Sequence, residues 1–219
     1  MRVEPKLAER FPELRALIRI VRGVEVKPES EGVENFKREV TEEVRTSMKL
    51  EDVKDAPVFR AYRDFYWRVG IDPTKIRPAG EALVRRVLGG KPIPKINTLV
   101  DVYNMVSLRT GVAIGAFDFK KINGELILRE ALKGEKFLGI GMKSQETLGG
   151  NEMVVADAEK LIAIYPYRDS EETKVTTATT DVLFLLCGVP GISEEVLKNV
   201  GDQTVEMAVK FCGGSEWRR

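Results

Sequence analysis

The sequence contains no histidine and only two cysteines in 219 residues. Without histidine there is no Ser-His-Asp or Cys-His triad, no zinc site with an imidazole ligand and no imidazole proton shuttle. An all-cysteine structural zinc site needs four thiolates, so it is excluded as well. Any acid–base chemistry must therefore come from carboxylates, lysine, tyrosine, bound water or the substrate. We expect neither a metal nor another cofactor.

Long apolar runs are also missing. No run approaches the ~20 residues that span a bilayer, and the charged start Met1-Arg-Val-Glu-Pro-Lys lacks the apolar centre of an export signal. We therefore expect a cytoplasmic protein with no membrane partner. Cys187 lies in an apolar run and Cys212 ends a helical pattern, which predicts buried thiols rather than a disulfide.

The net charge of +1 hides a strong asymmetry along the chain. Residues 57–95 contain nine cationic and three acidic residues, an excess of six positive charges. Two other segments, 29–56 and 146–172, carry excesses of four and five negative charges. Such separation predicts a local anion-binding surface on a neutral protein. The alternative is a set of solvated helix faces, since Arg60, Asp64 and Arg68 have the spacing of ion pairs along one helix.

Helical periodicity dominates the first half of the chain and a period of two dominates the second. This order predicts an α+β fold rather than repeated βαβ units. Asn123-Gly124 is typical of a hairpin turn between the first two late strands. We expect a strand at 14–26 and a polar helix that follows Ser30 and contains Val33, Phe36, Val40 and Val44. Further helices are expected at 57–70, 80–88, 98–108 and 193–212, the last broken or kinked at Gly201. Further strands are expected at 112–119, 125–130, 136–140, 153–155, 160–166, 174–177 and 181–187.

Three polar residues, Asn97, Asp101 and Asn104, share one face of the helix expected near residue 98. Two amides and a carboxylate at this spacing are suited to bind a polar ligand or a water molecule. They are equally typical of a helix start, where Asn97 would cap the helix and Asp101 would interact favourably with its dipole.

The run 173–180 contains five threonines, which favours a half-exposed strand. The same hydroxyls would also suit the side of a pocket. Upstream, Tyr165-Pro-Tyr-Arg-Asp169-Ser groups aromatic, cationic and acidic side chains in an expected loop, and loops often carry functional sites.

Several ordered motifs then resemble the B3/B4 domain of the phenylalanyl-tRNA synthetase β subunit. The stretch from Arg77-Pro-Ala-Gly through Asn97-Thr-Leu-Val-Asp101-Val-Tyr-Asn104 is similar to that family's Pro-led helix followed by Asn and V-V-D-x-x-N. Gly115-Ala-Phe-Asp118 resembles its A-F-D strand end, and Val154-Val-Ala-Asp157 resembles its L-V-I-A-D. The similarity covers roughly residues 77–180.

The resemblance implies an α+β fold with mixed, largely antiparallel sheets and packed helices. It implies one domain over 1–219, with an N-terminal strand and helix extension (1–56), a B3/B4 core (57–188) and C-terminal helices (189–219). In the synthetase this domain houses the editing site, which hydrolyses tyrosine wrongly attached to the phenylalanine tRNA. The chain is too short to hold a class II catalytic domain as well, so we expect a tRNA-interacting editing module rather than a synthetase.

Carried over by motif position, the resemblance implies three groups of site residues. Expected catalytic residues are Asp169, Asn104 and Thr177. Expected substrate-binding residues are Arg85, Arg86, Asn97, Asp101, Gly115, Asp118 and Thr176. Expected RNA contacts are Arg60, Arg63, Arg68, Lys75, Arg77, Lys91 and Lys95. The bacterial motif reads H-A-F-D, and its histidine is Gly115 here. Any activity should therefore show no imidazole-like pH dependence near roughly 6.5, and the pocket should be wider at Gly115 than the bacterial pattern implies.

Three functions remain open. The chain would hydrolyse misacylated tRNA in trans, bind RNA without catalysis, or use the same pocket for an amino-acid-like small molecule. The first two predict that the basic segment lies on the side of Asn104 and Asp169, with binding that weakens steeply with salt. The third predicts a closed pocket with no phosphate track leading to it.

Overall fold

The computed structural model describes residues 1–217. Arg218 and Arg219, the end of the expected C-terminal section, lie outside the described residues. The helices are Pro5–Arg10 (α1), Glu31–Ser47 (α2), Pro57–Arg68 (α3), Ala79–Leu88 (α4), Thr98–Thr110 (α5) and Glu194–Cys212 (α6). The strands are Arg2–Val3 (β1), Ala16–Arg22 (β2), Ala113–Asp118 (β3), Ile127–Glu130 (β4), Lys136–Phe137 (β5), Glu146–Thr147 (β6), Met153–Ala156 (β7), Leu161–Ile164 (β8), Arg168–Asp169 (β9), Asp181–Cys187 (β10) and Ser215–Glu216 (β11).

The strands form two main sheets and one short hairpin. The larger sheet has the order β1-β4-β7-β8-β9, in which β1 and β4 are parallel and all other pairs are antiparallel. The second sheet has the order β11-β2-β10-β3 and is antiparallel throughout. This arrangement confirms the predicted α+β class with largely antiparallel sheets. It also makes β9 and β3 edge strands of their respective sheets.

The two faces of the four-stranded sheet have different partners. Helix α6 packs closely on β2, because a Cβ placed on Gly201 would lie 3.4 Å from the Leu17 side chain and 3.2 Å from Arg19. Side chains alternate along a strand, so the opposite face carries Ile18 and, in register across β10, Gly115. That second face meets the five-stranded sheet. Of the break or kink expected at Gly201, the break is wrong, because glycine permits this close contact inside one continuous helix.

Helix α3 joins the helical half of the chain to this sheet. Proline at its first position suits a helix start, and its apolar stripe buries Phe59, Tyr62, Phe65 and Tyr66. The Tyr62 hydroxyl donates to the carbonyl oxygen of Cys187 at 2.5 Å and accepts from the Ala113 N–H at 3.0 Å. One buried hydroxyl thus satisfies backbone groups at the ends of both β10 and β3.

Some segments that were expected to form strands or hairpins have another conformation in the structure. Residues 174–177 do not form a strand. Lys174 makes a single bridge to Phe117, and residues 176–179 form a turn in which the threonine hydroxyls bond to nearby backbone. The expected Asn123-Gly124 hairpin is wrong, since β3 and β4 belong to different sheets. The expected C-terminal helices are one helix followed by β11.

Both cysteines are free and buried, as predicted from their apolar surroundings. Within residues 1–217, no helix combines the length and the apolar composition that crossing a membrane requires.

Candidate functional site

Asp169 lies where the edges of the two sheets meet. It is the last residue of β9, and its carboxylate accepts a hydrogen bond from the backbone N–H of Ala116 in β3. A Cβ placed on Gly115 would lie 3.0 Å from Asp169 Oδ1 and 3.1 Å from the Phe117 ring. The predicted widening at Gly115 is therefore wrong, because the Asp169 carboxylate and the Phe117 ring fill that space.

The environment of Asp169 makes its carboxyl group a titrating group at neutral pH. Burial raises the pKa of Asp169 to about 7, against the Ala116 hydrogen bond and the Arg168 charge, which both lower it. The residue as a whole keeps intermediate exposure, but its carboxylate is enclosed by β3. The chain thus has a group that titrates near neutrality although it contains no histidine.

Two further titratable side chains lie close to Asp169. Burial and then the Asp169 charge raise the pKa values of Tyr103 and Cys187, so both stay protonated at neutral pH. The Tyr103 ring also packs edge-on against Phe184, with ring centroids 6.3 Å apart. Of these three groups, only Asp169 has the pKa of an acid–base catalyst.

Asn97 and Asp101 serve the start of α5. Asn97 Oδ1 accepts from the N–H of Val100 at 3.0 Å, and Asp101 accepts from the Lys37 ammonium and the Ile96 N–H, each at 3.0 Å. Both side chains are buried. The capping role, which was the alternative from the sequence, accounts for these contacts, and the substrate-binding role stays a prediction.

Asn104 is partly exposed, one residue after Tyr103. Across residues 1–217, its amide has no hydrogen-bond partner, so it remains available to a ligand. Its predicted catalytic role is neither supported nor opposed by a contact.

The remaining polar candidates lie at the far end of β3. Asp118 accepts from the Thr179 hydroxyl at 3.0 Å and from the Lys120 N–H at 3.1 Å. Thr176 closes the same turn through the Ala178 N–H at 3.2 Å, and Thr177 is exposed there. Three residues along a strand are roughly 10 Å, so this turn does not bring the Thr177 hydroxyl to Gly115.

Three arginines converge on one buried carboxylate, Glu81 at the start of α4, which is 0% exposed. Arg63 donates to its two oxygens at 3.1 and 3.2 Å, Arg85 donates to Oε1 at 2.7 Å, and the Arg77 guanidinium lies 4.0 Å away. We name these four residues the Glu81 cluster. It carries an excess of two positive charges.

The other predicted cations are distributed over separate surfaces. Arg60 and Arg68 line a groove with the acidic residues Glu13, Asp55 and Asp64. Lys95 pairs with Glu29, and Lys91 and Lys95 line a groove along α2. The Arg86 guanidinium donates to the carbonyl oxygen of Pro92 at 2.5 Å, and Lys75 is close to Asp72. The single basic surface expected from the sequence is therefore divided.

Tyr66 connects the Glu81 cluster to the region of Asp169. Its ring centroid lies 6.3 Å from that of Tyr167, two residues before Asp169, and the Glu81 charge contributes to raising the pKa of Tyr66. The Tyr66 hydroxyl is buried and has no hydrogen-bond partner within the described part of the chain. The cluster and Asp169 thus lie on two sides of one buried tyrosine.

The sequence predicted Arg63, Arg77 and Arg85 as site residues but not their shared partner Glu81. The i, i+4 spacing of Arg77, Glu81 and Arg85 is a signal for pairing that the sequence contains. Nothing local signals that Arg63 joins them from another helix, or that Tyr103 and Cys187 lie close to Asp169.

A separate cavity of about 760 Å³ lies at the other end of the four-stranded sheet. Ile18, Ile20 and Leu183 line it together with Phe119 and Trp217. None of the site residues expected from the sequence is among those that line it, so it is distinct from the Asp169 region.

A model of the B3/4 domain family matches residues 61–213, which include the Glu81 cluster, Gly115 and Asp169. The chain belongs to the B3/4 domain family. This confirms the resemblance that the ordered motifs indicated.

Curated relatives include phenylalanine–tRNA ligase beta subunits. The subunit from Aquifex aeolicus is 37% identical over 91 residues, and that from Vibrio parahaemolyticus is 42% identical over 91 residues. Each match covers 42% of this chain but only 12% and 11%, respectively, of the subunits.

A solved structure has a similar fold over nearly the whole chain. It is an N-terminal fragment of the phenylalanyl-tRNA synthetase beta subunit from Pyrococcus horikoshii, with a TM-score of 0.56 and 19% identity. The match covers 98% of this chain and 49% of that fragment.

Proposed function

We propose that this chain binds the aminoacylated end of a tRNA and hydrolyses an aminoacyl ester there, acting in trans. Its membership of the B3/4 domain family and its similarity to phenylalanine–tRNA ligase beta subunits support the choice of substrate. The observation that carries the proposal is Asp169, a carboxyl group with a pKa of about 7 at the junction of two sheet edges. A cytoplasmic location belongs to the same proposal.

Ester hydrolysis at this site needs one proton acceptor. The Asp169 carboxylate takes a proton from a water molecule while the water oxygen attacks the ester carbonyl carbon. The bond from that carbon to the ribose oxygen then breaks, and the ribose oxygen takes up the proton. Free amino acid and uncharged tRNA leave. An aminoacyl ester is already activated, so positioning of ester and water supplies most of the remaining acceleration.

The raised pKa determines the pH dependence. A base works in its ionised form, so the enzymatic rate should rise with pH through about 7 and then level off. The midpoint falls where an imidazole would also titrate, but a carboxyl group produces it here.

The test is a deacylation assay on phenylalanine tRNA mischarged with tyrosine, beside a panel of other mischarged tRNAs. The unchanged chain should exceed the no-enzyme rate on at least one of them. D169N should lose roughly 100-fold or more of that excess, since it removes the proton acceptor. D52N, which changes an exposed carboxyl group on another surface, is the matched control and should keep the full rate.

The other outcomes discriminate between the open functions. No rate on any tRNA, with tRNA binding retained in D169A, would refute hydrolysis and favour a non-catalytic RNA-binding module. Binding of a free amino acid without tRNA binding would refute both RNA functions and favour the small-molecule reading.

A further inference from the structure

Helix α3 exposes one large aromatic side chain. Trp67 is 56% exposed, whereas its chain neighbours Phe65 and Tyr66 are 1% and 0% exposed. A single exposed apolar side chain is common on protein surfaces, so the indole alone indicates no function. Its position relative to the Glu81 cluster, by contrast, indicates a function.

The Glu81 cluster has charge and hydrogen-bond donors that the fold does not use. Three guanidinium groups surround one carboxylate, and the side chains of Arg63, Arg77 and Arg85 are 23%, 46% and 25% exposed. The Glu81 carboxylate accepts hydrogen bonds from Nη1 of Arg63 and Nε of Arg85. Over residues 1–217, the other nitrogens of these two groups have no partner. Guanidinium groups held in this way are suited to bind phosphate oxygens.

Trp67 lies one helical turn from Arg63 of the Glu81 cluster. Arg63 and Trp67 are four residues apart on α3, so their side chains are neighbours on one helix face. An aromatic ring beside fixed cations is the arrangement that binds unpaired nucleotides, with a base stacked on the ring and phosphates on the cations. Double-stranded RNA keeps its bases stacked inside the helix and cannot use such a ring.

The residue before Trp67 links this surface to the interior near Asp169. Tyr66 is fully buried, the Glu81 charge contributes to raising its pKa, and its ring centroid lies 6.3 Å from that of Tyr167, two residues before Asp169.

We propose that Trp67 and the arginines of the Glu81 cluster form a binding surface for the unpaired 3′ end of an RNA, with a base stacked on the indole and phosphates on the guanidinium groups. This surface would be the place where the tRNA end binds, and in this respect the inference rests on the proposed function. Its binding activity is separate from hydrolysis and is measured without it.

The experiment is fluorescence anisotropy of a labelled single-stranded oligoribonucleotide ending in CCA, titrated with the full chain. W67A should weaken binding roughly tenfold or more, the loss of one base–aromatic stack, and W67F should recover most of it. R77Q, which removes the most exposed arginine of the cluster, should lower the slope of log affinity against log salt by roughly one. R77Q is preferred to a change at Arg63, whose loss would disturb the buried pair.

The controls change similar residues elsewhere. L132A removes an apolar side chain that is 65% exposed, and R45Q removes a cation on α2. Both should bind as the unchanged chain does, and circular dichroism should show that all variants are folded.

The outcomes separate the surface from the reaction. Equal binding by W67A and the unchanged chain, or a preference for a blunt RNA duplex, would overturn the surface. Hydrolysis of mischarged tRNA that does not depend on Trp67 would overturn it while leaving the proposed function standing. Oligonucleotide binding that depends on Trp67 supports the surface even where no hydrolysis is found.

Discussion

Asp169 and Glu81 are both carboxylates enclosed by this fold, but their charges are balanced very differently. Glu81 lies between three arginine guanidinium groups, two of which donate hydrogen bonds to it. Asp169 has one backbone N–H and the neighbouring charge of Arg168, and burial raises its pKa to about 7. The same functional group therefore has two environments about one buried tyrosine.

The difference indicates that the two carboxyl groups have different roles. A carboxylate with surplus cations around it orients those cations for an anionic ligand. A carboxyl group without a full counter-charge is poised between its two protonation states near neutral pH, which is what proton transfer requires. Substitutions in the two environments test this contrast.

Removal of the Glu81 charge should have the largest effect. E81Q removes the one counter-charge, itself fully buried, of three partly exposed guanidinium groups, and losing one partner of such a network costs about 2 kcal/mol or more. Urea unfolding should show a fall in the free energy of unfolding of this size. E130Q, which changes an exposed partner of Arg10, should shift it by less than about 1 kcal/mol. Equal shifts in the two variants would show that the Glu81 cluster is not a buried network.

Asp169 should change the pH dependence of stability. Its raised pKa means that the folded state favours the protonated form, so this contribution to stability is present at low pH and is lost as pH rises from about 4 through 7. D169N has no such proton to lose. Relative to the unchanged chain, D169N should gain at least about 1 kcal/mol in unfolding free energy between pH 5 and pH 8. Parallel curves for the two proteins would contradict the raised pKa.

A side chain at position 115 should disturb Asp169. The Cβ of G115A would lie 3.0 Å from Asp169 Oδ1, so the carboxylate must shift by a few tenths of an ångström. We expect a stability loss of about 1 kcal/mol and a lower deacylation rate with little change in RNA affinity. G149A, whose Cβ would meet only Glu152 at 3.7 Å or more, is the control. An unchanged rate in G115A would show that the position of Asp169 is not critical.

The smallest effect is expected at the start of α5. N97A removes the cap on the Val100 N–H and should lower the unfolding free energy by about 1 kcal/mol. If Asn97 only caps the helix, the deacylation rate per folded molecule stays the same. A large loss of rate in a stable N97A protein would restore the substrate-binding role that the sequence motif implied.

The sequence predicted helices α2 to α6, because their apolar stripes and caps are local signals, but it missed the short helix α1. Its B3/B4 resemblance also named Gly115 and Asp169, which the structure places in direct contact. The threonine turn was missed because β propensity is a weak preference, and the Thr179 hydroxyl is satisfied by Asp118 from another strand.

The pairing of charges depends on tertiary structure and could not be predicted from the sequence. Arg63 and Glu81 are 18 residues apart on different helices. An excess of positive charge in one segment showed that cations were present, but it did not show that three of them share one carboxylate while others lie on separate surfaces.

The most direct test of the account is a titration of the side-chain carboxyl groups by carbon-13 NMR in the full-length chain. One aspartate signal should titrate with a pKa near 7, and this signal should be absent from the spectrum of D169N. If the signal assigned to Asp169 instead titrates near its ordinary value of 3.8, the carboxyl group is not poised for proton transfer at neutral pH and the account is wrong.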